Sequence, residues 1–228
     1  MDTDNRKSKI TAIKTNRNAK IRRSSIFLDG VPAFSLDNEV ISQEALKVGQ
    51  ELSPAEVNLL TRASNFQRCL NAALRFLSYR PRSEAETRAR LQRRGFETEE
   101  IEKAITQLQK TELLNDTDFA EFWAENRRSF RPRSQAMLRV ELRRKGVNSE
   151  VINEVVKEND DRDSAYQAAL KKARTLPSAD YQIFRRRLSG YLQRRGFSYG
   201  VINDTVKKVW EEQGNIQNSD LQMSQHPE

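Results

Sequence analysis

The hexapeptide LQRRGF at residues 91–96 recurs at residues 192–197, and a near copy, LRRKGV, occupies residues 142–147. The three copies are almost evenly spaced, because Gly95 and Gly146 lie 51 residues apart and Gly146 and Gly196 lie 50 apart. A fixed period of this length indicates a tandem array of one supersecondary unit. The repeat therefore decides the fold class.

Apolar residues at helical spacing continue on both sides of each glycine, and another helical pattern precedes each pair. Each unit is therefore predicted to contain three helices. We predict an all-α fold, a tandem array of three three-helix units, elongated and curved because stacked units share apolar faces, preceded by a small N-terminal β-hairpin. A compact nine-helix globule would satisfy the same pattern. The matching positions after the glycines are Ile101, Ile105 and Leu108, then Ile152 and Val156, then Ile202, Val206 and Val209.

Local patterns set the domain boundaries at the amino-terminal end. Residues 1–23 contain eight basic and two acidic residues, a composition typical of a disordered arm. The Asp-Gly pair at residues 29–30 favours a tight hairpin turn, and the Ser-Pro-Ala-Glu run at residues 53–56 is a helix start with a capping box. We predict a disordered basic arm at 1–23, a β-hairpin extension at 24–52, a first helical unit with its lead-in helix at 53–112, a second unit at 113–160, a third at 161–213 and a disordered polar tail at 214–228.

Positive charge is concentrated in the repeats as well as in the arm. The net charge is +8, and residues 57–210 hold 31 basic and 20 acidic residues. Cations in the last turn of a helix complement its dipole, which explains one or two per helix. The surplus recurs in every unit and would attract a polyanion or an acidic groove. The candidate binding residues are Arg80, Arg82, Arg90, Arg93, Arg94, Arg131, Arg133, Arg143, Arg144, Lys145, Arg185, Arg186, Arg187, Arg194 and Arg195.

Residues that usually carry catalysis or bind metals are scarce. The only histidine, His226, stands in the polar tail, and the single cysteine, Cys69, lies in an apolar helical pattern typical of packing. No glycine spacing matches a phosphate-binding loop, and no group of Asp and Glu has metal-site spacing. We therefore predict no catalytic, cofactor or metal site, although a metal-dependent nuclease is the alternative among enzymes. No apolar run is long enough to span a bilayer, so the protein is expected in the cytoplasm.

Longer motifs resemble one known family. ALRFLSYRPRS at residues 73–83, LLND at 113–116, ELRRKGV at 141–147 and the Leu-x-x-Arg-Gly-Phe turns are similar to the RecX family, bacterial regulators of the RecA recombinase. The resemblance extends over residues 64–212, and the hairpin resembles an amino-terminal extension of some members. Family members usually have leucine where Thr87 stands and glycine where Glu112 stands.

The resemblance implies a non-enzymatic regulator without a cofactor. Such a protein lies in the groove of the RecA filament on single-stranded DNA and inhibits its ATPase, strand exchange and co-protease activities, which tempers recombinational repair and the SOS response. The cationic array fits, because phosphates near the filament axis attract positive charge. Expected partners are the RecA filament and single- and double-stranded DNA through non-specific phosphate contacts, with no membrane contact and a monomeric state. The resemblance does not decide between two modes of regulation, capping of a growing filament end and wedging along the groove, or a combination of both.

A non-specific DNA-binding protein of tandem three-helix type, acting without RecA, is the second hypothesis. Three-helix units can place a helix in the major groove, where polar or basic side chains read the bases. The third helix of each unit is instead acidic or neutral, as residues 97–102 and 150–158 show. Duplex readout through this helix is therefore the weaker interpretation.

Overall fold

The computed structural model describes residues 6–15, 23–176 and 180–223, with side chains as far as residue 212. Two compact bodies are present. The amino-terminal body comprises Met1–Arg80 and Thr87–Leu114, and the carboxy-terminal body comprises Pro81–Glu86 and Asn115–Glu228.

A small antiparallel sheet opens the amino-terminal body. Its strands are β1 (Ser8–Thr15), β2 (Arg23–Leu28), β3 (Val31–Asp37) and β4 (Glu51–Leu52), in the order β3-β2-β1-β4. The predicted hairpin is confirmed between β2 and β3, because Asp29 and Gly30 have φ angles of 50° and 86°, as a type I′ turn requires. The sheet nevertheless has four strands among the described residues, two more than the hairpin alone.

The prediction of a disordered basic arm is wrong for Ser8–Thr15, which forms β1. This strand lies between β2 and β4, and its Ile10 is fully buried in a cluster with Ile26 and Leu36. The basic composition concealed it because the cations lie on the exposed positions of the strand. Backbone hydrogen bonds to the neighbouring strands stabilise β1 although its sequence contains no continuous apolar run. Residues 1–5 and 16–22 of the predicted arm lie outside the described residues.

Helices follow the sheet. The short α1 (Asn38–Gln43) precedes α2 (Pro54–Leu77), α3 (Glu84–Gln92) and α4 (Thr98–Lys110), the three helices of the first unit. The predicted capping box starts α2, because the Ser53 hydroxyl accepts from the Glu56 N–H while the Glu56 carboxylate accepts from the Ser53 N–H. The core of this unit consists of Cys69, Ala73, Leu91, Ile101, Ala104, Ile105, Leu108 and Leu114.

The second and third units repeat the three-helix plan. Their helices are α5 (Asp116–Phe130), α6 (Gln135–Arg144) and α7 (Ser149–Lys157), then α8 (Asp161–Ala173), α9 (Tyr181–Gln193) and α10 (Tyr199–Met223). The prediction of three units of three helices is therefore confirmed. Separate cores form around Phe119, Leu138 and Ile152 in the second unit and around Phe184 and Leu188 in the third.

The predicted disordered tail begins too early. Helix α10 continues to Met223, beyond the expected boundary at residue 213. Gly214 lies inside this helix, where glycine costs about 1 kcal/mol relative to alanine but does not by itself stop a helix. The first proline after it is Pro227. Residues 224–228, which include His226, lie outside the described residues.

Two positions differ from the pattern that the resemblance leads us to expect. One has a positive φ angle and the other is fully buried. Glu112 has a φ of 56°, in the left-handed region that favours glycine. Thr87 is fully buried in α3, where the resemblance leads us to expect leucine. Cys69 is also fully buried, as expected for packing, and burial raises the pKa of its thiol to about 11, with a further contribution from Glu100.

Candidate functional site

The predicted binding cations fall into an exposed and a partly buried group. The exposed residues are Arg93, Arg94, Arg131, Arg143, Arg144, Arg185, Arg186, Arg187 and Arg194. The partly buried residues are Arg80, Arg82, Arg90, Arg133, Lys145 and Arg195. The first group consists of arginines that face solvent. The second consists of cations that also contact other parts of the fold.

Three consecutive exposed arginines, residues 185–187, lie in the middle of α9. The helix ends at Gln193, so this triplet precedes the last turn, where cations complement the helix dipole. Its neighbours Phe184 and Leu188 are fully buried and anchor the helix in the core of the third unit. Among the described residues, no carboxylate forms an ion pair with any of the three. Neither capping nor ion pairing explains this triplet.

The exposed arginines at helix ends have a partly structural explanation. Arg143 and Arg144 lie in the last turn of α6, and Arg194 is the C-cap of α9. Arg93 follows α3, and its Nε donates to the Ala89 carbonyl at 3.1 Å. Positive charge is favourable beside the carbonyl ends of these helices. Their guanidinium groups nevertheless stay exposed and available to an anionic partner.

Lys145 is held by contacts within the protein. Its Nζ lies 2.5 Å from Glu86 Oε1 and 4.9 Å from the centre of the Trp123 ring. The Lys145 and Glu86 side chains are 28% and 17% exposed, so solvent screens the ion pair only partly. We therefore assign Lys145 a structural role that its sequence position beside Arg143 and Arg144 did not suggest.

Arg133 contributes to a second internal network centred on Glu141. The Glu141 carboxylate accepts from Trp123 Nε1 at 2.8 Å and from Arg127 Nε at 2.7 Å, and its other oxygen lies 2.9 Å from Arg133 Nε. Its side chain is only 13% exposed. Sequence reasoning missed Glu141, because its three partners are spread over residues 123–133.

The remaining partly buried arginines also contact the fold. The Arg195 guanidinium lies 4.3 Å from the centre of the Tyr191 ring, and its Nη1 donates to the Pro132 carbonyl at 3.3 Å. Arg90 lies 5.8 Å from the centre of the Phe76 ring. Arg80 and Arg82 likewise interact within the folded chain. These residues contribute both positive charge and contacts within the fold, so substituting them would change binding and stability together.

The two repeated motifs meet each other in the carboxy-terminal body. Ser83 caps α3 by accepting from the Glu86 N–H at 3.1 Å, and its hydroxyl donates to the Lys145 carbonyl at 2.6 Å. One repeat later, Ser134 caps α6, and its N–H donates to the Arg195 carbonyl at 3.1 Å. The serine of each Arg-Pro-Arg-Ser turn therefore binds the end of the next unit's second helix. We call these two contacts the turn joints.

Glycine allows the turn joints to pack closely. A Cβ at Gly146 would lie 2.3 Å from the Ala85 Cβ, and one at Gly196 would lie 2.3 Å from the Met137 Cγ. At Gly95, the corresponding glycine of the first unit, nothing lies within 4 Å. The repeated glycine therefore ends a helix in all three copies and forms a close contact in two.

A half-buried carboxylate completes each turn joint. Asp116 accepts from the Glu84 N–H at 2.8 Å, and Asp161 accepts from the Gln135 N–H at 2.7 Å. Burial raises the pKa of both carboxyl groups above the usual value for aspartate, against the lowering effect of these hydrogen bonds. Each carboxylate satisfies an amide at a helix start, which is a structural role.

Among the described residues, no group of three or more His, Cys, Asp or Glu side chains is arranged to hold a metal ion. The helices in that part of the chain include none that is both long and apolar enough to cross a membrane.

The order of domains matches one family throughout. Residues 8–53 match the model of the regulatory protein RecX N-terminal domain. Residues 69–108, 115–156 and 159–206 match the models of the first, second and third three-helix domains of RecX. Each model falls on the sheet or on the helical unit described above.

Whole-chain comparisons agree. The chain is 30% identical to regulatory protein RecX of Clostridium beijerinckii over 208 residues, which cover 89% of this chain and 96% of the relative. It is 32% identical to regulatory protein RecX of Bacillus velezensis over 204 residues, covering 88% of this chain and 77% of the relative. A crystal structure of regulatory protein RecX has the same fold, with a TM-score of 0.64 at 23% identity over 87% of this chain and 98% of the other. The chain belongs to the RecX family of regulatory proteins.

Proposed function

We propose that this protein is a non-enzymatic regulator that binds the RecA filament on single-stranded DNA. Binding inhibits the filament's ATPase, strand exchange and co-protease activities, and so tempers recombinational repair and the SOS response in the cytoplasm. Membership of the RecX family supports the regulatory role.

The arginine triplet at residues 185–187 is the observation that carries the proposal. Three exposed guanidinium groups without a carboxylate partner in the described part of the chain raise the local positive potential. Maintaining such repulsion destabilises a fold unless an anionic partner relieves it. The triplet also lies on a helix anchored by Phe184 and Leu188, so the three charges are presented from a fixed backbone.

The chemistry suits phosphates near the axis of a nucleoprotein filament. Arginine pairs with phosphate oxygens through two parallel hydrogen bonds, and each neutralised phosphate releases counterions into solution. Such contacts position a protein without reading sequence. The regulator therefore recognises a filament groove or a DNA strand irrespective of base order, and its affinity falls as the salt concentration rises.

Non-specific DNA binding without RecA is the second candidate, and the same exposed triplet favours it. Two paired measurements separate these candidates. RecA ATPase on circular single-stranded DNA is measured while the protein is titrated in, and direct binding to the same DNA is measured without RecA at equal salt. We expect inhibition at protein concentrations too low to coat the free DNA. Inhibition only when the free DNA is saturated would support the DNA-binding alternative, and no inhibition at all would contradict the proposal.

A further inference from the structure

Phe130 is a large apolar side chain that faces solvent at the end of α5. It is 73% exposed, while Phe119 of the same helix is fully buried and Trp123 packs against the core of the second unit. The first unit has Tyr79 at the equivalent place, and it is 79% exposed. Each of these aromatic residues directly precedes an Arg-Pro-Arg-Ser turn. Packing within the fold therefore explains neither ring.

Cations from three parts of the carboxy-terminal body lie at the junction between the end of α5 and the loop that follows Phe130. Lys171 on α8 donates from Nζ to the Ser129 carbonyl at 2.7 Å. Arg195, after α9, donates from Nη1 to the Pro132 carbonyl at 3.3 Å. The exposed Arg131 follows the ring directly in the chain. Lys171 and Arg195 therefore hold positive charge at Ser129 and Pro132, on either side of Phe130 in the chain, and Arg131 adds a third cation.

Glu125, on the preceding turn of α5, is already engaged by neighbouring residues. Glu125 accepts from the Ser129 hydroxyl at 2.8 Å and pairs with Arg128 at 2.8 Å. Its charge is offset locally, while Arg131 and Lys171 have no carboxylate partner in the described part of the chain. Positive charge therefore exceeds negative charge among these residues, which lie next to Phe130 in the chain or contact its neighbour Ser129.

An exposed aromatic ring beside basic residues is the chemistry that binds single-stranded nucleic acid. Unpaired bases stack on aromatic side chains while neighbouring phosphates contact Lys and Arg. A duplex keeps its bases stacked on each other, and an acidic protein surface would engage the cations without needing the ring. We propose that Phe130 is a stacking platform for an unpaired base of DNA, with Arg131 and Lys171 binding the flanking phosphates.

This inference depends on the part of the proposed function in which the protein contacts DNA directly. It does not depend on a contact with RecA. Tyr79 offers the same exposed ring in the amino-terminal body. Because stacking is tolerant of base identity, this contact adds affinity for unpaired strands without adding sequence specificity. It thereby distinguishes single-stranded from double-stranded DNA, which the arginine triplet alone does not.

The test compares an oligodeoxythymidine strand with an abasic strand of equal length, using fluorescence anisotropy and the full chain. The two probes have the same phosphates, but only the first has bases. We expect Phe130→Ala to weaken binding of the intact strand by about tenfold and to leave binding of the abasic strand unchanged. Phe130→Trp should retain binding, and its added indole emission should be quenched by the intact strand only. Tyr199→Ala is the matched control, because Tyr199 is 74% exposed and lies outside the Arg-Pro-Arg-Ser turns.

Three results would overturn the platform. They are equal losses on intact and abasic strands, equal losses for Phe130→Ala and Tyr199→Ala, and a Phe130→Ala variant that loses RecA inhibition while binding DNA normally. The last would assign the ring to a protein contact. A failure of the wider proposal looks different, because wild-type protein would then leave RecA ATPase unaffected whichever strand it binds. Circular dichroism of each variant verifies that helicity is retained.

Discussion

Gly146 packs so closely against Ala85 that a Cβ added at Gly146 would lie 2.3 Å from the Ala85 Cβ. The contact joins the turn after α6 to the first turn of α3. The Ser83 hydroxyl donates to the Lys145 carbonyl beside it. The repeat motif is therefore a packing element between successive three-helix units as well as a helix stop.

Gly146→Ala should destabilise the protein more than Gly95→Ala. Both glycines have a φ of 79°, which strains an alanine by about 1–2 kcal/mol. Only Gly146 adds a steric clash, which costs about 1–3 kcal/mol further. Urea unfolding followed by circular dichroism measures the difference, with Gly95→Ala as the matched control. Equal losses would show that Ala85 moves aside without cost.

Glu112→Gly should stabilise the first unit. The backbone strain at a φ of 56° disappears, and the greater freedom of glycine in the unfolded chain offsets part of the gain. The expected increase in the free energy of unfolding is up to about 1 kcal/mol. Lys110→Gly, inside the adjacent helix end, should instead destabilise by about 1 kcal/mol. A loss of stability in both variants would mean that the Glu112 side chain stabilises the fold more than its backbone strains it.

Lys145→Ala and Arg144→Ala should have opposite consequences although the residues are adjacent. Removing Lys145 leaves the partly buried Glu86 carboxylate without this cation and should lower the free energy of unfolding by about 2 kcal/mol. Removing the exposed Arg144 should leave stability within about 0.5 kcal/mol of wild type and weaken RecA inhibition. Thermal unfolding and RecA ATPase assays on both variants check this. A stable Lys145→Ala variant would show that the ion pair contributes little.

Asp161→Asn should change how stability depends on pH. Burial raises the folded-state pKa of Asp161 above the ordinary value of 3.8, so the folded state binds this proton more tightly than the unfolded chain. Stability from this group is therefore complete below pH 3.8 and is lost as the pH rises through the raised pKa. Asparagine stays neutral and can still accept from the Gln135 N–H. The variant should gain stability relative to wild type between pH 4 and pH 7 in urea unfolding. A constant difference between Asp161→Asn and wild type would contradict the raised pKa.

The sequence predicted the features that depend on neighbouring residues. The Asp-Gly pair forms its turn, Ser53 and Glu56 form their capping box, and a glycine follows the second helix of each unit. These features need only local hydrogen bonds and backbone preferences, so a short window of sequence contains the necessary information.

Features that depend on distant partners were missed. β1 appears as a basic segment until its pairing with β2 and β4 buries Ile10. Lys145 resembles another surface cation until Glu86, 59 residues earlier, is placed against it. Charge alone therefore marks where a binding surface is possible, while the partners of each cation decide which residues remain available.

The central claim is that exposed arginines without a structural partner bind the RecA filament. The most direct test is RecA ATPase on single-stranded DNA, titrated with wild type and with the Arg185→Ala, Arg186→Ala and Arg187→Ala triple variant. The control variant replaces Lys103, Lys110 and Lys207, which are exposed on third helices, by alanine and removes the same charge. The account predicts that the arginine variant needs at least about tenfold more protein for half-inhibition and depends less on salt, while the lysine variant resembles wild type. Equal weakening of both variants, or none in the arginine variant, would contradict it.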